Sequence, residues 1–147
     1  MALSRVIYRS HSRLLETTFE EEVGQIVRTS ISNNRLANIT GMLLTHRGSF
    51  LQVLEGPSAA IDATVERIRK DTRHEGVVTL SNKPAPQRRF GDWDMCARTL
   101  SAADDEIVQV MEGRGDVAIS DLSADAALRL LTVVASIRRD ANLRHVG

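Results

Sequence analysis

The chain has 147 residues, and 42% of them are hydrophobic, which is enough for one domain with a buried core and a short extension. Its 19 basic and 19 acidic residues give a net charge of zero, so nucleic acid is not an expected partner. The lone Cys96 excludes an internal disulfide and a zinc site of the usual Cys/His spacing. With neither a signal peptide nor about 18 consecutive apolar residues, the chain is predicted to be cytoplasmic, with no membrane partner.

The first half of the chain contains patterns for three strands and a helix. Residues 3–10 are rich in β-formers and predict a first strand. A capping-box pattern followed by apolar residues at helical spacing predicts a helix over about 18–33, closed by the Asn33-Asn34 pair. The runs 39–45 and 49–55 predict two further strands joined by a short hairpin.

The second half continues with a helix and two strands. Apolar residues at i, i+4 and i+7 predict a second helix over about 58–71, which follows a strand break at Gly56-Pro57. Residues 77–80 predict a fourth strand, and residues 93–97 predict a fifth. The segment between them that contains Pro84 and Pro86 is predicted to be a loop.

This order predicts an α+β fold, a ferredoxin-like β-α-β-β-α-β-β arrangement with a five-stranded mixed sheet. Right-handed crossovers place both helices on one face of such a sheet. Residues 101–147 form a predicted helical extension, with an amphipathic stretch over about 124–139, that caps the other face or mediates dimerisation or output. The domain division is therefore 1–100 and 101–147.

Gln52 is the most informative polar residue, because it shares a strand face with Phe50 and Leu54. A buried amide must find hydrogen-bond partners, although main-chain groups alone can satisfy an isolated glutamine. Tyr8, taken alone, is more often a core residue than a redox group. The four histidines show no metal-ligand spacing, so no metal is predicted.

Taken together, five segments resemble the BLUF family of blue-light sensors that use flavin. They are LSRVIYRS at 3–10, NNRLANITG at 33–41, FLQVLEG at 50–56, DTRH at 71–74 and RFGDWDM at 89–95. Their order and spacing agree with the family over residues 3–98, about two thirds of the chain. The Thr45-His46 pair departs from a tyrosine-containing segment that is common in relatives.

The resemblance implies a blue-light photoreceptor rather than an enzyme, with FAD as cofactor and FMN possible. Light would drive electron and proton transfer between Tyr8 and the flavin through Gln52, which then rearranges its hydrogen bonds. Ser10, Trp93 and Met95 would shape the signalling pocket. The positions implied for flavin binding are Tyr8, Ile26, Ser30, Asn33, Asn34, Leu43, Phe50, Gln52, Arg67, Asp71, Arg73 and His74.

Among the implied flavin-binding positions, the resemblance implies that the Asn34 side chain holds the pyrimidine edge of the flavin. It also implies signalling in trans to a downstream effector protein, and a homodimer or higher homo-oligomer. The competing interpretations are a ferredoxin-like ligand-binding module without photochemistry and a small acylphosphatase-like enzyme, although the Arg/Asn pair and phosphate loop of the latter are not found. An RNA-recognition module would require a basic excess and more aromatic residues.

Overall fold

The computed structural model describes residues 3–12, 19–46, 48–72, 74–91, 96–99 and 122–146. Within these ranges, no helix has the length and apolar character of a membrane span. The elements in chain order are β1 (Leu3–Ser12), α1 (Phe19–Ala37), β2 (Thr40–His46), β3 (Ser49–Pro57), α2 (Ser58–Arg69), β4 (His74–Ala85), β5 (Cys96–Thr99) and α3 (Ala124–Val146).

The strands form one sheet in the order β4-β1-β3-β2-β5. The first four are antiparallel to their neighbours, and the short β5 pairs in parallel with β2. β3 lies at the centre and is buried from Ser49 to Gly56, so both of its faces are covered. The α+β class with an antiparallel sheet and packed helices is confirmed.

Each face of the sheet has its own hydrophobic core. On one face, Val23 of α1 and Ile61 of α2 pack with Val6, Tyr8 and other sheet residues. On the other face, the buried side chains of α3 pack against the sheet and Phe90; they are Ala126, Ala127, Leu130, Leu131, Val134 and Ala135. The alternation of side chains along β3 sends Phe50 and Leu54 to the first core and Leu51 and Val53 to the second.

The first helix is longer than predicted. α1 continues through Asn33 and Asn34 to Ala37, so the prediction that this pair closes the helix is wrong. The helix ends instead at Ala37, and the next residue, Asn38, has a positive φ of 59°, the left-handed conformation that asparagine tolerates just after a helix C-terminus.

Several strand boundaries also differ from the prediction. β3 runs through Gly56 to Pro57, beyond the predicted break, and β4 extends over Pro84, which the sequence assigned to a loop. β4 is an edge strand, where one row of backbone groups has no strand partner, so a proline that lacks an N–H is tolerated. β5 begins at Cys96, and the predicted strand residues 93–95 lie outside the described residues.

Candidate functional site

A cavity lies between α1, α2 and the sheet. Its volume is about 150 Å³. The sheet contributes its floor and the two helices its walls. The lining residues are Tyr8, Ile26, Thr29, Ser30, Asn33, Asn34, Leu43, Phe50, Gln52, Leu54, Thr64, Arg67, Ile68, Asp71 and His74.

Helical periodicity explains which residues of α1 and α2 reach the cavity. In α1 the lining positions 26, 29/30 and 33/34 recur every three to four residues and therefore form one stripe. In α2 the lining positions 64 and 67/68 continue the same spacing to Asp71, just beyond the helix. Each helix thus turns a mixed polar and apolar stripe towards the sheet.

Tyr8 and Gln52 face each other across neighbouring strands. They are Cα partners in the antiparallel pairing of β1 with β3, and Leu43 of β2 is the partner of Gln52 on its other side. Directly opposed residues of antiparallel strands have Cβ atoms about 5 Å apart. The relative exposure of Tyr8 is 3% and that of Gln52 is 7%, so both polar groups lie in the interior.

The surroundings of Tyr8 keep its phenol protonated. Burial raises the pKa of Tyr8 well above its ordinary value of 10.0, because a phenolate would lose its hydration. The negative charge of Asp71, a half-buried residue at the same cavity, raises this pKa further. Tyr8 is therefore a neutral hydroxyl at physiological pH, with the capacity both to donate and to accept a hydrogen bond.

Asn34 brings a second buried amide to the cavity. Its relative exposure is 3%, although it lies in the last turns of α1, near a chain reversal. The backbone N–H of Ile39 donates to the Asn34 carbonyl at 2.8 Å, which fixes the end of the helix against the start of β2. The Asn34 backbone is therefore tied to the start of β2, and its buried side chain lines the cavity.

His74 connects three elements at one end of the cavity. Its Nε2 is 2.7 Å from the Ile68 carbonyl, which can only accept, so Nε2 carries a hydrogen. In the neutral imidazole, Nδ1 is then the acceptor, and the Ser10 hydroxyl donates to it at 2.8 Å. The ring also lies at a tilted angle to Phe50, with centroids 6.3 Å apart. His74 thereby joins β1, the end of α2 and the start of β4.

The cavity becomes more polar towards solvent. Arg67 is exposed, and its guanidinium lies 3.5 Å from the Thr64 hydroxyl. Asn33 and Asp71 are half-buried at the same rim. Among the described residues, no group of three or more His, Cys, Asp or Glu side chains is arranged to hold a metal ion. The site therefore offers apolar walls, buried amides and a charged rim.

The structure brings most of the candidate site residues together. Eleven of the twelve positions implied for flavin binding line this one cavity, and Ser10 contacts it through His74. Arg73, Trp93 and Met95 lie outside the described residues.

Thr29, Leu54, Thr64 and Ile68 line the cavity as well and were not predicted. Periodicity could have found them, because Thr29 precedes Ser30 on the same stripe and Leu54 shares the strand face of Gln52. Thr64 and Ile68 lie one turn apart on α2.

Comparison with known proteins assigns the family. Residues 3–96 match the BLUF family, described as sensors of blue-light using FAD. The chain belongs to the BLUF family. This assignment confirms the resemblance seen in the sequence.

Among curated relatives, the chain is 32% identical over 114 residues to the blue light- and temperature-regulated antirepressor BluF of Escherichia coli, covering 77% of this chain and 28% of the antirepressor. It is 32% identical over 93 residues to the photoactivated adenylate cyclase subunit beta of Euglena gracilis, covering 63% of this chain and 11% of that subunit. The chain therefore spans less than a third of the length of these relatives.

A solved structure of similar size is that of BlrB, a BLUF protein in its dark state. The TM-score is 0.74 with 29% identity, and the alignment covers 92% of this chain and 96% of BlrB. The BLUF domain of this chain is thus a blue-light photoreceptor domain of a flavin-binding family.

Proposed function

We propose that Tyr8 and Gln52 are the photoactive pair of this BLUF domain and that Asn34 anchors the flavin. The observation that carries the proposal is the cross-strand pairing of Tyr8 with Gln52 inside a cavity that Asn34 also lines. A buried phenol and two buried amides in one cavity place hydrogen-bond donors and acceptors beside apolar side chains. A ligand with both apolar faces and polar edges is complementary to such a lining.

The residues of the cavity fit a flavin ring. Leu43, Phe50 and Leu54 supply apolar surface for a planar ring, whereas Gln52 and Asn34 supply amides for its carbonyl and N–H edge. The bound flavin would supply absorption of blue light and a one-electron oxidant. FAD is the proposed form, with FMN as the alternative, and chromatography of the flavin released from purified protein distinguishes the two.

The chain's own residues would then perform the switch. Tyr8 can release an electron only if its phenolic proton has an acceptor. A phenol that lost the electron and kept the proton would be a buried cation, which is costly. That electron would pass to the flavin, and Gln52, with one carbonyl acceptor and two N–H donors, can receive the proton and give it back when the electron returns to Tyr8. Rearrangement of the Gln52 amide leaves a changed hydrogen-bond pattern with no substrate consumed. A modest, reversible red shift of the flavin spectrum is the expected signature.

We further propose that the signal leaves the domain in trans to an effector protein, through residues 93–95 and the extension over 101–147. One relative is named as a light-regulated antirepressor and another as a photoactivated adenylate cyclase subunit. These names support the proposal that the light signal controls an effector protein. Homodimerisation through the extension, a cytoplasmic location and the division at about residue 100 belong to the same proposal. So does the ferredoxin-like classification of the sheet, which the order β4-β1-β3-β2 supports.

The test compares absorption spectra before and after blue illumination for the parent protein, Tyr8→Phe and Gln52→Leu. The parent should carry a yellow flavin and show the reversible red shift, whereas both variants should retain the flavin and lose the shift. Asp62→Asn, at an exposed site on α2, is the matched control and should behave as the parent. An intact shift in both variants refutes the assigned roles, and a parent protein without flavin refutes the photosensor itself.

A further inference from the structure

The segment that follows β4 is fastened to the sheet by a buried carboxylate. Glu55 is fully buried, and its carboxylate accepts hydrogen bonds from Arg5 Nε at 2.7 Å, from the Arg89 N–H at 3.0 Å and from the Phe90 N–H at 2.7 Å. All of these neighbours are donors, so the carboxylate is satisfied by a cation and two backbone amides. Glu55 thereby fixes the backbone of residues 89–90 on the α3 face of β3.

Arg88, at the start of this fastened segment, joins three other parts of the chain. Its guanidinium donates to the Asn38 carbonyl at 2.7 Å, to the Thr40 hydroxyl at 2.8 Å and to the Glu55 carbonyl at 2.8 Å. These acceptors belong to the turn after α1, the first residue of β2 and the main chain of β3. The planar fork of arginine suits such a multiple contact, which a lysine ammonium cannot reproduce in the same geometry.

The Arg88 contacts lie close in the chain to both buried amides of the cavity. Asn38 follows Asn34 by one helical turn, and the Asn34 carbonyl accepts from Ile39, the residue after Asn38. Gln52 precedes Glu55 by three residues on β3, or about 10 Å along an extended strand. Arg88 itself does not line the cavity.

The turn after α1 packs closely against the backbone of β3. A Cβ added to Gly56 would lie 3.0 Å from the Asn38 carbonyl oxygen and 2.9 Å from Ile39 Cγ1. The turn after α1 therefore rests directly on β3 beside Glu55. A change in the position of Asn38 must move either α1 or β3.

We propose that Arg88 is a positioning residue that sets the separation of the Asn34 and Gln52 amides from outside the flavin cavity. It holds the turn after α1 to β3, and the Glu55 carboxylate fixes the backbone of Arg89 and Phe90, the two residues that follow Arg88. The expected effect on dark recovery rests on the proposed function, in which the two amides contact the flavin. Loosening this clamp lets the amides separate and lowers the barrier for return from the lit to the dark hydrogen-bond pattern.

The experiment compares the parent with Arg88→Ala, Arg88→Lys and Arg89→Ala. Arg89 is exposed, and its link to Glu55 uses its backbone N–H, so Arg89→Ala removes one neighbouring positive charge and keeps the clamp. The side-chain amide signals of Asn34 and Gln52 in ¹⁵N–¹H spectra should shift in Arg88→Ala and not in Arg89→Ala. Dark recovery should be at least about threefold faster in Arg88→Ala, intermediate in Arg88→Lys and near the parent rate in Arg89→Ala.

A second control separates positioning from general destabilisation. Leu130→Ala opens a space in the α3 core, which does not line the cavity, and should lower the unfolding temperature without moving the two amide signals. Unchanged amide signals in Arg88→Ala, or equal shifts in Leu130→Ala, overturn the inference. The amide signals need no photocycle, so a parent protein without a light-induced red shift refutes the proposed function and leaves this comparison decisive.

Discussion

The buried phenol of Tyr8 makes the stability of the protein sensitive to alkaline pH. Tyr8 is the one tyrosine in the sequence, so the ultraviolet band of tyrosinate reports this residue alone once a Tyr8→Phe spectrum is subtracted. Burial and the charge of Asp71 both raise the pKa of Tyr8 in the folded state. In the unfolded chain the same phenol titrates near its ordinary value of 10.0.

The sign of the effect follows from proton binding. Above pH 10 the unfolded chain loses the phenolic proton while the folded protein keeps it, so rising pH favours unfolding. One proton contributes about 1.4 kcal/mol per pH unit in this range. Tyr8 therefore lowers the free energy of unfolding by about 1 to 1.5 kcal/mol between pH 10 and pH 11, a contribution that is absent from Tyr8→Phe.

The assay measures urea unfolding of the parent and of Tyr8→Phe at several values between pH 8 and pH 11, with the tyrosinate band recorded on the folded proteins. Other titrating groups are common to both, so the difference between the two slopes isolates Tyr8. The band should stay absent until the protein unfolds. Tyrosinate in a folded protein near pH 10, or identical slopes for the two proteins, would refute the assignment of Tyr8 to a desolvated site.

Four further substitutions, with Asp62→Asn as a control, test the packing of the sheet and its helices. Glu55→Gln replaces one carboxylate oxygen by an NH2 donor, which must face either Arg5 or the Phe90 N–H, and it removes the charge that pairs with Arg5. It should cost about 3 kcal/mol in urea unfolding, whereas the exposed Asp62→Asn should change little; equal effects would contradict a buried ion pair. Leu130→Ala should cost about 2 to 5 kcal/mol yet keep the light-induced red shift, and loss of the shift would show that α3 packing reaches the cavity. Gly41→Ala should cost about 4 kcal/mol, because its Cβ would meet the Val53 carbonyl oxygen, whereas Gly24→Ala within α1 should stabilise by about 0.5 to 1 kcal/mol; thermal unfolding of both checks the contrast.

The central part of the site could be predicted because strand geometry is regular. The period of two along β3 places Gln52 with Phe50 and Leu54, and the structure buries all three on the cavity side. The resemblance to the BLUF family then supplied Tyr8 and Asn34, whose residue types alone are ordinary for a core and a helix end. Pairing of Tyr8 with Gln52 depends on the register of β1 against β3, which a single sequence does not encode locally.

The Arg88 clamp was beyond prediction from sequence. Glu55 reads as a polar residue at a strand end, and Arg88 as one of several charged residues after a proline-rich segment. Their contacts join residues that are 33 to 50 positions apart in the chain, so only the tertiary structure brings them together. The same reason explains the length of α1: its end depends on the left-handed Asn38, whose carbonyl accepts from Arg88.

The two faces of β3 limit how a change at Gln52 can reach α3. None of the described residues of α3 lines the cavity, and the sheet lies between them. Adjacent residues of a strand point to opposite faces, so Leu51 and Val53 beside Gln52 pack in the α3 core. The proposed hydrogen-bond rearrangement at Gln52 would therefore have to act on α3 through displacement of the β3 backbone or through the sheet edges, because the sheet separates the cavity from the described residues of α3. β3 is central and buried along most of its length, so such a displacement would be small and would act on Leu51 and Val53 together.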